Sequence, residues 1–198
     1  MIKKILLMLL ICTSLQANEL ELNYAESKDT SIKGASYKTA FDYAPVEYST
    51  FSKYQETNDD YLLHLGANAD YDLNPFDIFI NGAYSTDTAL LTRDQVDFTV
   101  GGGWEFYNDY TNRYKISYGL VFREDRVLNK YRLKYTRDGK LIYIKMVAWY
   151  IAPTEEIIFE SGVGVKIFDL MALGIKHEYR SRKDYYDYIT SVALKIKL

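Results

Sequence analysis

The chain has 198 residues, with 24 lysines and arginines against 27 aspartates and glutamates, and it uses 20 tyrosines but only three prolines. That length suits one domain, and an acidic balance without a dominant basic face excludes a nucleic-acid binder. The tyrosine content leans towards strands and towards membrane interfaces, where an aromatic body and a polar tip are both accommodated.

Met1 to Ala17 reads as a secretory signal. Lys3 and Lys4 form a charged start, Ile5 to Ile11 an apolar run, and Gln16-Ala17 a cleavage end. The run is too short to cross a bilayer as a helix. A lipoprotein signal at Leu9-Leu10-Ile11-Cys12 is the alternative, disfavoured because Ile11 is bulky where such signals want a small residue. Cleavage would leave residues 18–198 as a single domain, with 22 basic against 27 acidic residues and a net charge of −5. Cys12 is the only cysteine, so the mature chain would lack a thiol, which excludes disulfides, thiolate catalysis and cysteine-ligated metal. No other stretch approaches the length of a membrane-spanning helix, so any insertion must be by strands.

From Glu19 onward, short runs of period-two alternation are separated by polar turns, and about twelve runs are expected, an even number as in bacterial outer-membrane barrels. The first carries Leu20, Leu22 and Tyr24 and turns at Ser27 to Thr30. The second places Ala35, Tyr37, Phe41 and Tyr43 on one face and ends at Ala44-Pro45. The third, Val46 to Lys53, is weakly patterned, and Glu56 to Asp60 is a polar loop.

The fourth run sets Tyr61, Leu63, Leu65, Ala67, Ala69, Tyr71 and Leu73 against Leu62, His64, Gly66, Asn68, Asp70 and Asp72, and Asn74-Pro75 turns the chain. The fifth offers Phe76, Ile78, Ile80, Gly82 and Tyr84. After a loop at Ser85 to Arg93, the sixth has Val96, Phe98, Val100, Gly102, Trp104 and Phe106 opposed by Gln95, Asp97, Thr99, Gly101, Gly103 and Glu105. A turn at Asn108 to Asn112 leads to the seventh, Tyr114 to Phe122 against Lys115 to Arg123.

The eighth run is shorter, with Tyr131, Leu133 and Tyr135 opposed by Lys130, Arg132 and Lys134, and Asp138-Gly139 is a hairpin signal. The ninth, Leu141 to Ile151, is apolar on both faces, so its orientation is open; Pro153 closes it. The tenth sets Ile157, Phe159, Val163, Val165 and Ile167 against Glu156, Glu160, Gly162, Gly164 and Lys166. A final hairpin from Met171 to Leu198 alternates throughout. Its last strand needs an edge to pair with, and the first strand supplies it, which closes a barrel.

A soluble sandwich or a periplasmic ligand-binding barrel would also alternate. Three features favour the membrane: aromatics near strand ends (Tyr24, Tyr43, Tyr61, Tyr71, Tyr84, Phe106, Tyr114, Tyr135, Tyr179), an opposite face of mixed charge with Gly, Ala and Ser, and a chain that stops on its strand. The expected architecture is all-β, an antiparallel transmembrane β-barrel of about 12 strands, with both termini periplasmic.

The run from Asp70 to Leu198 carries Asp70-Tyr71-Asp72 with Asn74-Pro75, Val100-Gly101-Gly102-Gly103-Trp104, Tyr118-Gly119-Leu120 to Arg123-Glu124-Asp125, and Leu173 to Arg180. In these residues the chain resembles the YdiY-like salt-induced outer membrane proteins of Gram-negative bacteria, a family defined by a domain of unknown function. It departs from the usual barrel ending, since Leu198 stands where an aromatic is common. The resemblance implies fold and location, and no activity.

Chemistry is sparse. His64 lies on the polar face and His177 on the apolar face, so the two histidines cannot meet in one lumenal site. Asp70 and Asp72 share a face and would suit acid-base work or a metal, although pairing with cations of neighbouring strands accounts for them more simply. Gly101-Gly102-Gly103 lacks the Lys-Ser/Thr ending and the helix of a phosphate loop, and reads as strand glycine. Asp70, Asp72, Asp97, Arg123, Lys130, Arg132, Lys134, Glu156, Glu160 and Glu178 are the expected lumen-lining residues. Arg123, Lys130, Arg132 and Lys134 would either select anions or form a salt-bridge network with Glu156, Glu160 and Glu178.

No connection is long enough for a plug, so the lumen should hold side chains. The expectation is a narrow pore for small solutes or a structural envelope protein, not an enzyme, with no cofactor and no metal. Its partners would be outer-membrane lipid, with the barrel-assembly machinery and periplasmic chaperones during biogenesis, and no nucleic acid. The alternative is an outer-membrane enzyme acting on lipid or peptide.

Overall fold

The computed structural model describes residues 19–26, 31–43, 45–56, 61–87, 92–168, 170–183 and 185–196. The expected signal Met1 to Ala17, the turn at Ser27 to Thr30 and all but the first residue of the Glu56 to Asp60 loop lie outside the described residues. Twelve strands follow in order: β1 (Glu19–Glu26), β2 (Ser31–Tyr43), β3 (Val46–Glu56), β4 (Tyr61–Asp72), β5 (Phe76–Asp87), β6 (Thr92–Asn108), β7 (Asn112–Arg123), β8 (Arg126–Asp138), β9 (Ile142–Ala152), β10 (Glu156–Phe168), β11 (Met171–Arg182) and β12 (Tyr185–Ile196). Each pairs antiparallel with its sequence neighbours. β12 pairs with β1 through Leu20↔Ile196 to Tyr24↔Val192, which closes the barrel and leaves no free edge.

The alternation that predicts these strands also fixes their faces. On the outside, Ile78, Ile80, Val96, Phe98, Ile116, Leu133, Val165 and Ile175 are exposed. On the inside of the same strands stand Asp77, Asp97, Lys115, Arg132, Lys166 and Lys176, half-buried. A soluble barrel has the opposite arrangement, with its apolar side chains enclosed. Outward aromatics form a contiguous belt near the rim that carries the start of β1 and the end of β12. Phe76 stacks on Trp104, Trp104 meets Phe106, Phe106 meets Tyr114, and Tyr114 stacks on Tyr135 at 4.6 Å between centroids.

By the strand bounds, connections at this terminal rim are two or three residues long and none at the opposite rim exceeds four. The three-residue terminal turn between β6 and β7 is held by Asp109. Its carboxylate accepts from the backbone N–H groups of Asn112 and Thr111, and those bonds, the one from Asn112 above all, hold its pKa at about 2.

Inward-facing glycines make room for inward-facing rings. The Phe51 ring lies against Gly66, Phe79 against Gly101 and Gly119, and Tyr143 against Gly164 and Gly174. A Cβ on Gly101 would fall 2.3 Å from the Tyr118 carbonyl and 2.6 Å from the Phe79 ring, whereas one on outward Gly82 would meet nothing within 4 Å. The central glycine run is thus strand glycine, as its sequence context suggests. Gly101→Ala should destabilise the refolded barrel by about 1–3 kcal/mol, the usual cost of overpacking, with Gly82→Ala close to neutral. Urea unfolding in detergent micelles measures the difference.

Several boundaries differ from the sequence expectation. Of the loop expected at Ser85 to Arg93, the first three residues belong to β5, which continues through a bulge between Ser85 and Asp87, and the last two to β6, which begins at Thr92; residues 88–91 lie outside the described residues. The eighth strand is not short: Arg126 to Asn129 extend it to thirteen residues, turning directly from β7 at Glu124-Asp125. The third strand runs on to Glu56. On β9 the open orientation resolves with Tyr143, Lys145, Val147, Trp149 and Ile151 inward, since Ile151 pairs with inward Lys130 and Trp149 with inward Arg132.

Candidate functional site in the barrel lumen

Cross-strand register sets Asp97, Arg123, Lys130, Arg132, Lys134, Glu156, Glu160 and Glu178 on the inner face of the barrel, where most fall into three groups; Asp70 and Asp72 stand apart from them. Near the rim opposite the termini, Arg123 on β7 makes a two-pronged contact with Asp97 on β6, both bonds 2.8 Å long, and donates to Glu156 on β10 at 3.0 Å. β8 and β9 stand between Arg123 and Glu156 in the wall, so the guanidinium straps five successive strands. Beneath it Val121, Leu128 and Ile151 form a buried apolar cluster inside the barrel, with buried Val147 on the same inner face of β9. This cluster is why β9 is apolar on both faces.

The second group centres on Glu178 of β11. One carboxylate oxygen accepts from Lys53 of β3 at 2.6 Å, and the other accepts from Arg180, whose guanidinium also reaches Gln55. Between β3 and β11 the wall contains β2, β1 and β12, so the Lys53–Glu178 pair crosses the lumen as a chord rather than bridging adjacent strands. Lys176 reaches Glu21 at 3.1 Å in the same way, across β12. The lumen is therefore crossed by ion pairs, and Lys53, Gln55, Arg180, Lys176 and Glu21 join the expected set. Their inward position follows from strand parity, but nothing local in the sequence marks which of them meet.

The third group is the inner face of β8. Lys130, Arg132 and Lys134 project inward at successive alternate positions. Among the described residues none of the three makes an ion pair or hydrogen bond. Arg132 instead packs on the Trp149 ring at 5.7 Å, and its Nε is buried without a partner. The charges that act most strongly on Lys134 are cationic, those of Arg132, Lys145, Lys38 and Lys115, whereas Asp70, Glu160 and Asp77 act on Arg132 and Asp97 and Glu156 on Lys130. Arg123 thus belongs to a salt-bridge network, and the β8 stripe does not. Glu160 lies 3.9 Å from Lys145.

The residues that would serve an enzyme are not brought together. His64 packs edge-on to Phe51 at 4.9 Å and faces Ser85 across β4 and β5, with no hydrogen bond between them. Asp70 accepts from Asn68. Asp72 is exposed at the terminal rim, where it accepts from the Asn74 backbone N–H at 2.8 Å. Six residues of strand separate His64 from Asp70, about 20 Å. His177 faces outward, with Nδ1 2.9 Å from the Thr190 hydroxyl. No group of three or more metal-ligating side chains occurs among the described residues. A concavity of about 880 Å³ lies largely on the outer wall, lined by Trp104, Tyr118, Tyr131, Tyr150 and Ile157.

A closed barrel with a charged, side-chain-filled interior and an apolar exterior is the porin type of fold. No family model matches the chain, and no curated protein matches it in sequence. Solved structures match it in fold. KdgM porin aligns with a TM-score of 0.61 at 10% identity, covering 91% of this chain and 99% of that one, and it has also been solved in complex with disordered oligogalacturonate. An outer membrane channel from Pseudomonas putida F1 aligns with a TM-score of 0.60 at 6% identity, covering 93% and 96%. NanC porin aligns with a TM-score of 0.56 at 9% identity, covering 91% and 98%. The chain thus has the architecture of outer-membrane porins and channels, and at these identities the likeness is one of fold.

Proposed function

We propose that this protein is a narrow outer-membrane pore that favours small anions. The observation that carries the reading is the unpaired β8 stripe. Lys130, Arg132 and Lys134 line the interior with no carboxylate in salt-bridge distance, while Lys53, Lys115, Arg123, Lys166, Lys176 and Arg180 each have one. Uncompensated cations in a pore lower the barrier for anions and raise it for cations. The exposed apolar exterior and aromatic belt support residence in a bilayer. The signal-like segment Met1 to Ala17, the short terminal turns and the even strand number support an outer-membrane location with periplasmic termini, reached through periplasmic chaperones and the barrel-assembly machinery. Membership of the YdiY-like family is part of the same reading. Galacturonate carries carboxylates, and a solute class of that kind is what a basic stripe would favour here.

Planar-bilayer recording in a salt gradient tests it. The wild type should give unit conductance steps with a reversal potential on the anion side, and Lys130→Gln with Lys134→Gln should move that potential towards zero. Well-folded protein that never conducts, or that conducts with cation preference, would overturn the proposal.

A further inference from the structure

Among the described residues, the buried side-chain polar atoms left without any hydrogen-bond partner are Asp77 Oδ1, Ser117 Oγ and Arg132 Nε. They are not scattered. Cross-strand register runs Asp77↔Gly103, Gly103↔Ser117, Ser117↔Arg132 and Arg132↔Trp149, so all three lie on one row across β5 to β8. Buried polar groups are nearly always satisfied, and an orphan guanidinium is the costliest kind. Two of them, the Ser117 hydroxyl and the Arg132 Nε–H, are donors on adjacent strands and mark a place where an acceptor belongs; Asp77 Oδ1 is itself an acceptor and stands outside it.

The charge of that missing partner follows from its surroundings. Asp77 is already neutralised by Lys115, and Gly103 is a glycine where a Cβ would strike both groups, at 2.6 Å from Lys115 Cε and 2.8 Å from Asp77 Oδ1. Ser117 and Arg132 are direct partners on β7 and β8, and Lys134 follows on the same face of β8, where the charges that act on it most strongly are cationic; Asp70, Glu160 and Asp77 act on Arg132 without any of them forming an ion pair with it among the described residues. Arg132 is held against the Trp149 ring, and its Nε has no acceptor among the described residues. Fixed guanidinium, hydroxyl and ammonium donors in a partly dehydrated interior match an oxyanion, which accepts from all of them, far better than they match chloride.

The geometry points to a discrete oxyanion-binding site in the lumen at Ser117, Arg132 and Lys134, which takes the phosphate or carboxylate group of a small solute. It deepens the anion-pore reading and rests on it for the solute's route to the site. Binding itself needs no conduction, so the two can fail separately.

Trp149 faces inward against Arg132 and Trp104 faces outward, so Trp104→Phe leaves Trp149 as the only indole and a reporter of the site. Refolded Trp104→Phe protein is titrated with inorganic phosphate and, separately, with acetate, against chloride at equal ionic strength. The expected result is a saturable change in Trp149 emission with one or both oxyanions and none with chloride. The tighter of the two assigns the solute group as phosphoryl or carboxylate. By calorimetry, which does not depend on the Arg132–Trp149 contact, Arg132→Gln should weaken binding at least about tenfold, the loss of one charge-assisted hydrogen bond, and Ser117→Ala by a smaller factor. Arg132→Lys should restore part of it, and Arg123→Lys should leave it unchanged. The site is overturned if neither oxyanion perturbs Trp149 beyond chloride, or if Arg132→Gln, folded by circular dichroism, binds as the wild type does. Binding in protein that shows no conductance would uphold the site and retire the pore.

Discussion

Glu178→Ala should be the most damaging single substitution in the barrel, costing about 3–5 kcal/mol of unfolding free energy, the usual penalty for stranding a buried charge. The side chain is 5% exposed, and its partners Lys53 and Arg180 are 15% and 12% exposed, so neither cation can turn to bulk water when the carboxylate goes. Lys176, held by Glu21, adds further positive charge nearby. Pairwise removal discriminates this account from a general loss of packing. Lys53→Met combined with Glu178→Leu takes out both ends of the chord and should recover most of the loss, because an apolar pair of similar volume needs no compensating charge. If the double variant is as unstable as Glu178→Ala in a urea series, the chord is not what Glu178 supplies.

The second large effect is expected at Arg123. Arg123→Met should cost about 3 kcal/mol, at the low end of the range for a broken buried pair, because Asp97 and Glu156 keep 18% and 16% exposure and can recruit water. Here stability and permeability should move in opposite directions. The strap holds β6, β7 and β10 together over the apolar cluster of Val121, Leu128 and Ile151, so its loss should raise unit conductance while lowering the unfolding midpoint. Adding Asp97→Asn and Glu156→Gln to Arg123→Met removes the stranded carboxylates. Stability should then return towards wild type while conductance stays high. Conductance unchanged in both variants would show that the strap does not bound the path.

How far the sequence carries depends on the range over which its signals act. On β4 the alternation from Tyr61 to Asp72 places every residue on its face, because one side meets an apolar medium and the other a charged interior. β9 defeats the same logic: its inward Val147, Trp149 and Ile151 pack in an apolar corner of the lumen, so period two carries no contrast there. Arg126 to Asn129 were hidden because a two-residue turn at Glu124-Asp125 leaves no polar gap to mark it. The inward direction of Lys130, Arg132 and Lys134 is legible from parity alone. That they are unpaired is not, because it depends on which carboxylates the other strands bring within reach. Lys53 and Glu178, 125 residues apart, meet only because the barrel closes. The row of unsatisfied atoms from Asp77 to Arg132 likewise requires the register of four strands.

One face of each strand meets hydrocarbon and the other the lumen, and the two tryptophans lie on opposite faces to report it. Single-tryptophan variants, Trp149→Phe and Trp104→Phe, reconstituted in vesicles whose acyl chains carry bromine, give the direct measurement. Emission from outward Trp104 should be strongly quenched and emission from inward Trp149 left nearly unchanged; equal quenching of the two, or quenching of Trp149 alone, would contradict the assignment of faces on which the lumen, the pore and the oxyanion site all depend.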